Sequence, residues 1–520
     1  MPASHVISSV CEPELVRLAE EIAFAVRPGD LIALSGDLGA GKTTLARALI
    51  SALQGGAREE VPSPTFTLVQ AYATPRMTVA HFDLYRLNDP SELQELGLDH
   101  ALQTGLALIE WPERAGGSIP ESRLDVQLED EGAGSTMAEN GTRRITLTGH
   151  GDWAIRLERL LAMHAMIRNA GMGGEDCTLS YLQGDASVRR YARLKCSNRP
   201  GAIVMDWAPQ TDGPPIRGHL PYSRIAHLAE NVHPFVAVAS ALRAAGLSAP
   251  EIYAQYLDRG LLLLEDFGDR VFGEEVATGA SDQAELWRAA VEALVALRER
   301  PPADRLPVVT GTTHHLPAYG HHAFGIEVEL LIEWYWPAAI GKPIPADARA
   351  EFSALWKAIF DRLQILPKGW VLRDYHSPNL VWLPERKGVA RVGIIDFQDA
   401  MRGPLAYDLV SLLQDARTDV APELEAHLFD HYCAQVTARK AGFDRDAFTF
   451  AYAALGAQRA TKILGIFSRL AQRDDKPTYL RHIPRLWRYL ERDLAHPELS
   501  ALRGWYDRHM PADVRQRKLS

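Results

Sequence analysis

Two separate groups of residues in this 520-residue chain have the types and spacing needed to hold a triphosphate. The first is the run Gly36-Asp37-Leu38-Gly39-Ala40-Gly41-Lys42-Thr43, which fits G-x-x-x-x-G-K-[ST] in full, follows an apolar run and opens a helical pattern. Glycines let backbone N–H groups face phosphate oxygens, the lysine neutralises the β- and γ-oxygens, and the threonine hydroxyl binds Mg²⁺. The pattern predicts an ATP site in which Thr43 is also a metal ligand and whose cofactor-binding residues include Gly36, Gly39, Gly41, Lys42, Thr43 and Thr44.

The second group lies far along the chain and has the spacing of a kinase catalytic loop. Arg373 and Asp374 begin a D-x-x-x-x-N pattern that ends at Asn379, and Asp396 follows on an apolar strand. In such sites the first aspartate accepts the proton of the substrate hydroxyl, while the asparagine and the second aspartate hold a metal. We therefore predict Asp374 as the catalytic base and Asn379 and Asp396 as Mg²⁺ ligands.

Apolar periodicity predicts the elements that position the first group. Up to about residue 150 the pattern is that of an α/β domain, with a helix over 14–26, a strand over 31–34, a helix over 44–53 and a hairpin of strands 123–130 and 143–150. Residues 151–171 form an amphipathic pattern, and we place the domain boundary near it. The predicted domains are 1–155, an α/β P-loop ATPase domain, and 160–520.

The second group belongs to a part of the chain with a different outline. Short strand-like runs from about residue 175, one helix over 226–246 and a strand over 261–267 precede a mostly helical stretch. This outline predicts an α+β, two-lobed kinase-like domain, with an N-lobe over about 175–268 and a helical C-lobe over about 269–510.

Composition limits the classes of protein that remain. The formal charge is −10, so a broad nucleic-acid-binding face is not expected, and any contact with RNA is local or made through a partner. Cys11, Cys177, Cys196 and Cys433 are widely spaced, which favours reduced thiols over a disulfide framework. There is no signal-peptide pattern and no apolar run long enough to span a membrane, so we expect a cytoplasmic protein with no membrane partner.

Three further motifs give the first domain a family resemblance over roughly residues 10–150. The segments SPTFTLVQ (63–70), HFDLYRL (81–87) and LIEWPER (108–114) resemble the TsaE family, the ATPase subunit of bacterial tRNA threonylcarbamoyladenosine synthesis. The resemblance implies that Glu110 is a second Mg²⁺ ligand, that Asp83 is a catalytic or water-positioning carboxylate and that Trp111 lies beside the nucleotide. It also implies a tRNA-modification protein complex as partner, with a nucleotide-sensing loop over 63–66.

The second domain resembles the aminoglycoside phosphotransferase-like kinases over nearly all of residues 175–510. The segments GDASVRRYARL (184–194), LRDYHSPNL (372–380) and QRATKILGIFSRL (458–470) are most similar to the AmgK family. Its members phosphorylate N-acetylmuramate and N-acetylglucosamine at the anomeric hydroxyl in peptidoglycan recycling. The resemblance implies ATP and Mg²⁺ as cofactors and an amino sugar as the acceptor.

The chain departs from the wider kinase pattern in two places. Its catalytic loop begins Leu372-Arg373-Asp374, where antibiotic kinases of this class usually have H-G-D. Met205 stands where a kinase lysine would hold the α- and β-phosphates, so we expect Arg189 or Arg190 to bind phosphate instead, with Arg190 as the candidate.

These observations predict a bifunctional enzyme, an ATPase acting in tRNA modification fused to an amino-sugar kinase. Three alternatives stay open: an antibiotic kinase in the second half, a non-catalytic scaffold there, and a nucleotide-controlled binding module in the first half.

Overall fold

The protein is described from a computed structural model that covers residues 3–55, 61–87, 89–131, 142–182, 189–209, 213–440 and 442–519. Within these ranges the strands are β1 (Ala3–Val10), β2 (Leu31–Ser35), β3 (Val69–Ala73), β4 (Thr78–Asp83), β5 (Gly105–Glu110), β6 (Arg123–Asp130), β7 (Arg143–His150), β8 (Cys177–Leu182), β9 (Arg190–Cys196), β10 (Arg199–Asp206), β11 (Pro215–Arg217), β12 (Leu220–Pro221), β13 (Ile252–Tyr256), β14 (Leu261–Glu265), β15 (Arg305–Val309), β16 (Thr312–His315), β17 (Lys368–Val371), β18 (Leu380–Trp382), β19 (Val392–Ile394) and β20 (Met401–Pro404).

The helices of the same ranges are α1 (Glu12–Ala25), α2 (Lys42–Leu53), α3 (Glu92–Glu95), α4 (Leu98–Thr104), α5 (Asp152–Asn169), α6 (Tyr222–Ile225), α7 (His233–Ala244), α8 (Phe272–Ala277), α9 (Gln283–Arg298), α10 (His321–Leu330), α11 (Trp336–Ile340), α12 (Ala346–Gln364), α13 (Tyr407–Leu413), α14 (Pro422–Arg439), α15 (Arg445–Arg473), α16 (Ile483–Asp493), α17 (Ser500–His509) and α18 (Ala512–Arg515). Segments of 3₁₀ helix include Ser377–Asn379 and Pro477–His482, and a π-helical turn covers Leu331–Tyr335.

Parallel pairing in the middle of the first sheet creates the edge at which the phosphate loop lies. Among the described residues this sheet has seven strands in the order β1-β7-β6-β2-β5-β4-β3, with β2 parallel to β5 and β6, and β4 parallel to β5. Residues along β2 alternate between two cores, because successive strand side chains point to opposite faces: Ile32 packs in one and Ala33 in the other. The predicted hairpin of residues 123–130 and 143–150 is confirmed as β6 and β7.

A second sheet packs into the same core as the first. In the described part of the chain it has five antiparallel strands in the order β13-β14-β10-β9-β8. One continuous group of buried apolar side chains includes Ile22 of α1, Leu160 of α5 and Val204 of β10. Polar contacts add to this interface, since Glu20 Oε2 accepts a hydrogen bond of 2.7 Å from the backbone N–H of Leu179.

The compact units of the fold differ from the predicted domains. One unit comprises residues 1–209 and 252–266, and the other comprises 210–251 and 267–520. The predicted boundary between 155 and 160 falls inside α5, whose buried side chains pack in the core that both sheets of the first unit share. The predicted N-lobe strands therefore belong to the first unit, while residues 210–251 belong to the second, helical unit.

The prediction of four reduced cysteines is wrong for one pair. Cys177 and Cys196 form a disulfide, with their Cα atoms 4.0 Å apart. The antiparallel register of β8 and β9 places these two residues directly opposite each other, a pairing that sequence spacing does not reveal. Cys11 and Cys433 are free thiols.

In the helical unit two small pairs of strands hold the predicted catalytic loop. β17 pairs with β20, and β18 pairs with β19 so that Leu380 is opposite Ile394. The loop from Leu372 to Asn379 lies between β17 and β18, and Asp396 follows β19. This pairing brings Asn379 and Asp396 together although they are far apart in the chain. Within the described residues, no helix is both long and apolar enough to cross a membrane.

Candidate functional sites

Three glycines of the phosphate loop adopt backbone conformations that side chains disfavour. Gly36, Gly39 and Gly41 have φ values of 137°, 85° and 104°. At Gly41 a side chain would also meet the Nε atom of Arg143 at 3.0 Å. The loop leaves β2 at Ser35 and enters α2 at Lys42, so its backbone turns at the N-terminus of a helix, with Thr43 and Thr44 in the first turn.

Lys42 points back into this loop. Its Nζ donates to the carbonyl oxygens of Gly36 and Asp37 at 2.7 and 2.8 Å and lies 3.6 Å from the ring centroid of Trp111. Burial lowers the pKa of the Lys42 amine, against the raising effect of Glu110 and other nearby carboxylates. The amine is therefore held inside the loop, where phosphate oxygens are expected, and the Trp111 ring packs against it.

Glu110 and Asp83 end neighbouring parallel strands in register. Glu110 is only 2% exposed; its Oε2 accepts a hydrogen bond of 3.0 Å from the Thr43 hydroxyl, and its Oε1 lies 2.9 Å from Nε2 of His81. The structure thus brings together Thr43 and Glu110, the two predicted metal ligands of this site. Their oxygen atoms are the hard donors that Mg²⁺ prefers.

Asp83 connects the strand edge to the predicted nucleotide-sensing loop. Its Oδ2 accepts hydrogen bonds from the hydroxyls of Ser63 and Thr65 at 2.9 and 2.7 Å, and its Oδ1 accepts one from the backbone N–H of Tyr85 at 3.1 Å. A change in the position of loop 63–66 therefore changes the hydrogen bonds of a carboxylate that lies next to Glu110.

The second site brings together Asp374 and Asn379 of the catalytic loop and Asp396, which follows β19. Asn379 Nδ2 donates to the backbone carbonyl of Asp374 at 3.0 Å and lies 3.4 Å from Oδ2 of Asp396. Gln398 Nε2 holds the other oxygen of Asp396 at 2.9 Å. Asp396 and Arg373 have positive φ values of 61° and 75°, strained conformations of the kind found at functional sites.

Asp374 is kept ionised by its surroundings. Its side chain is 37% exposed, and its Oδ1 lies 4.0 Å from Nε2 of His376. Burial raises the pKa of Asp374, but electrostatic interactions with His376, Lys462 and Arg373 outweigh it and bring the pKa below its ordinary value. A carboxylate with this environment and exposure can accept a proton from a bound hydroxyl.

Two buried acids fix the backbone that carries Asp374. Asp408 accepts hydrogen bonds from the backbone N–H groups of Leu372 and Arg373 at 2.7 and 3.0 Å. Burial raises the pKa of Asp408 to about 7, although these two hydrogen bonds lower it. Glu327, which has no exposed surface, is the centre of the group we call the Glu327 cluster. Its other members are Arg373, Lys462, Tyr319 and Gln458, all in direct contact with the Glu327 carboxylate.

Comparison with known proteins assigns each half of the chain to a family. Residues 11–138 match the family described as "Threonylcarbamoyl adenosine biosynthesis protein TsaE", and residues 178–448 match the "Phosphotransferase enzyme family". A Caulobacter vibrioides N-acetylmuramate/N-acetylglucosamine kinase is 40% identical over 69% of this chain and 99% of its own length. A Pseudomonas aeruginosa protein of the same name is 35% identical over 61% of this chain and 84% of its own. A Rickettsia felis tRNA threonylcarbamoyladenosine biosynthesis protein TsaE is 42% identical over 23% of this chain and 68% of its own length.

The chain belongs to both families. The predicted resemblances are confirmed. The match to the phosphotransferase family lies in the part of the chain for which a kinase-like domain was predicted.

Arg190, the predicted phosphate ligand of the phosphotransferase half, contacts residues of the first unit instead. The Arg190 guanidinium pairs with Asp206 and donates to the carbonyl oxygens of Phe24 and Ala25 at 3.2 and 3.3 Å. Its charge is therefore matched inside the first unit, where it ties β9 to the end of α1. Met205 is buried in the neighbouring strand, and residues 184–188 of the motif that precedes Arg190 lie outside the described residues.

Two residues of the TsaE-like site were not predicted. His81 is fully buried and contacts Glu110. Because side chains alternate along β4, His81 lies on the same face as Asp83, and this spacing could have indicated His81 as a site residue. Arg143 donates from Nε to the carbonyl oxygen of Ala40 at 2.9 Å. It comes from a distant strand, so nothing near the loop in sequence points to it.

Proposed function

We propose that this chain is a bifunctional enzyme that hydrolyses ATP at residues 36–43 and phosphorylates an amino sugar at Asp374. The observation that carries the proposal is the presence of two separate groups of residues of the types that bind phosphate and Mg²⁺, on unrelated structural frameworks. In one, Lys42 and Thr43 lie beside Glu110; in the other, Asp374 and Asn379 lie beside Asp396.

In the second half, the acceptor is N-acetylmuramate or N-acetylglucosamine, as in the names of the relatives, and the reaction is transfer to the anomeric hydroxyl. Asp374 takes the hydroxyl proton as the sugar oxygen forms a bond to the γ-phosphorus of ATP. The bond from that phosphorus to the bridging oxygen breaks, and ADP leaves with the electron pair. The convergence of Asn379 and Asp396 fits a Mg²⁺ site, and the ion would neutralise phosphate charge there.

In the first half, Lys42 and the loop N–H groups bind the β- and γ-phosphates, while Thr43 and Glu110 fit a Mg²⁺ ion that would neutralise phosphate charge. Asp83 orients water or transmits the state of loop 63–66, through the two hydroxyls that it accepts. Hydrolysis drives or resets a protein complex that forms threonylcarbamoyladenosine in tRNA, so the tRNA contact is indirect. The formal charge of −10 supports that indirect contact.

A panel of acceptors tests the kinase half. The full chain is given N-acetylmuramate, N-acetylglucosamine or an aminoglycoside, and sugar-dependent ADP release is measured alongside the same assay on Asp374→Asn. The proposal predicts release with the amino sugars that the variant loses. Sugar-dependent release with the aminoglycoside alone would instead support an antibiotic kinase, and release unaffected by the substitution would remove Asp374 as the base.

A further inference from the structure

A short segment after α13 lies directly against the catalytic loop. The Ser377 backbone N–H donates to Oδ2 of Asp415 at 2.8 Å, and the hydroxyls of Ser377 and Thr418 are 2.7 Å apart. The backbone N–H of Arg417 donates to the other Asp415 oxygen at 2.8 Å. Arg417 is therefore held beside the loop that carries the base.

Arg417 is part of a cationic and aromatic group that the reaction described above does not use. We call it the Arg417 cluster, and its members are Arg417, Tyr479, Arg481 and His482. The Arg417 guanidinium lies 5.6 Å from the Tyr479 ring centroid, and Arg481 Nε donates to Nε2 of His482 at 3.2 Å. The rings of Tyr479 and His482 both pack on Phe467, at 5.1 and 5.8 Å between centroids, which holds the cluster together.

The two arginines of this cluster have unmatched charge. Within the described residues, neither the Arg417 nor the Arg481 side chain pairs with a carboxylate, and both residues are exposed. The neighbouring Arg485 does pair with a carboxylate, since its Nε lies 2.6 Å from an Asp419 oxygen. Both carboxylate oxygens of Asp415 accept hydrogen bonds from backbone N–H groups. Burial and the nearby arginines lower the pKa of His482 to about 4, so this ring is neutral near pH 7.

We propose that Arg417 and Arg481 bind the carboxylate of an acidic sugar acceptor while its anomeric hydroxyl faces Asp374. This inference rests on the proposed kinase function and names the feature of the substrate that the site selects. Guanidinium groups form strong, often bidentate hydrogen bonds with carboxylates. N-acetylmuramate carries a carboxylate on its lactyl ether, whereas N-acetylglucosamine lacks that group, so the two sugars differ in the feature these arginines recognise. A polycationic acceptor is repelled by the same charges.

The pair of sugars gives a direct test with the full chain. Arg417→Gln and Arg481→Gln are assayed for kcat and KM with each sugar, and Arg488→Gln serves as the control. Arg488 lies in the same region but is exposed and already pairs with Asp419 at 3.2 Å. Loss of a charged hydrogen bond predicts a fall in kcat/KM for N-acetylmuramate of about 10- to 100-fold, mostly through KM. Activity toward N-acetylglucosamine changes less than about twofold, and Arg417→Lys restores part of the loss.

Other outcomes overturn the inference in distinguishable ways. An equal loss with both sugars would show that the arginines position the catalytic loop and do not recognise the carboxylate. Unchanged kinetics with both sugars would remove the cluster from the acceptor site. A wild-type chain that phosphorylates neither sugar would overturn the proposed kinase function itself, and the inference with it.

Discussion

Replacing Glu327 by glutamine tests how the catalytic loop of the kinase half is held. The substitution keeps the size of the side chain but removes the negative charge between Arg373 and Lys462. Burial raises the pKa of Glu327, yet Lys462 and Arg373 lower it overall to about 2, from an ordinary value of 4.5. That difference corresponds to about 3 kcal/mol of stability at neutral pH. Because two buried cations would lose their partner, we expect a total loss of about 3–5 kcal/mol.

The pH dependence of this loss has a definite direction. A carboxylate whose pKa is lowered by folding stabilises the fold fully above its unfolded value, and that contribution disappears as the pH falls from 4.5 toward 2. Wild type and Glu327→Gln should therefore differ most at neutral pH and converge in acid. Hydrogen exchange measured by mass spectrometry on peptides of α10, α15 and residues 372–379 reports the local unfolding free energy.

Glu329→Gln is the matched control, because this residue lies on the same helix and pairs with Arg217, which is about half exposed. Exposed pairs contribute about 0–1 kcal/mol, so the control should resemble wild type. If Glu327→Gln lost no more protection than Glu329→Gln, the Glu327 cluster would not be what holds the loop.

Three further substitutions separate the two sites and test the interface in the first unit. Lys42→Ala should abolish nucleotide binding at the phosphate loop and leave sugar phosphorylation intact; loss of both activities would show that the sites are coupled. Asp374→Asn should lower sugar phosphorylation by about 100-fold or more while ATP hydrolysis in the first half persists, and an unchanged rate would contradict its role as the base. Asp206→Asn leaves Arg159 and Arg190 unmatched and should destabilise the first unit by about 2 kcal/mol. Calorimetry that finds no change in thermal unfolding would contradict this last expectation.

The features that sequence predicts well are those whose chemistry is local. The phosphate loop needs glycines and a lysine within one turn, and the catalytic loop needs Asp374 and Asn379 at a fixed spacing, so both are readable from consecutive residues. The hairpin of β6 and β7 follows from strict alternation. Glu110 and Asp83 required the family resemblance, because a carboxylate at the end of a strand is not distinctive by itself.

The features that sequence does not predict depend on packing between distant segments. Nothing near Cys177 indicates that strand pairing places it opposite Cys196. Arg190 was expected to bind phosphate because Met205 replaces the kinase lysine, but its guanidinium pairs with Asp206 and with carbonyl oxygens at the end of α1. The shared core of the two sheets explains why the compact units do not divide where the sequence pattern changes.

Counting the nucleotides bound per chain tests the central claim most directly. Isothermal titration of the full chain with a non-hydrolysable ATP analogue and Mg²⁺ should give two equivalents, with Lys42→Ala and Asp396→Asn each removing a different one. Saturation of the wild-type chain at a single equivalent, under conditions where it is fully folded, would contradict the presence of two independent phosphate-handling sites.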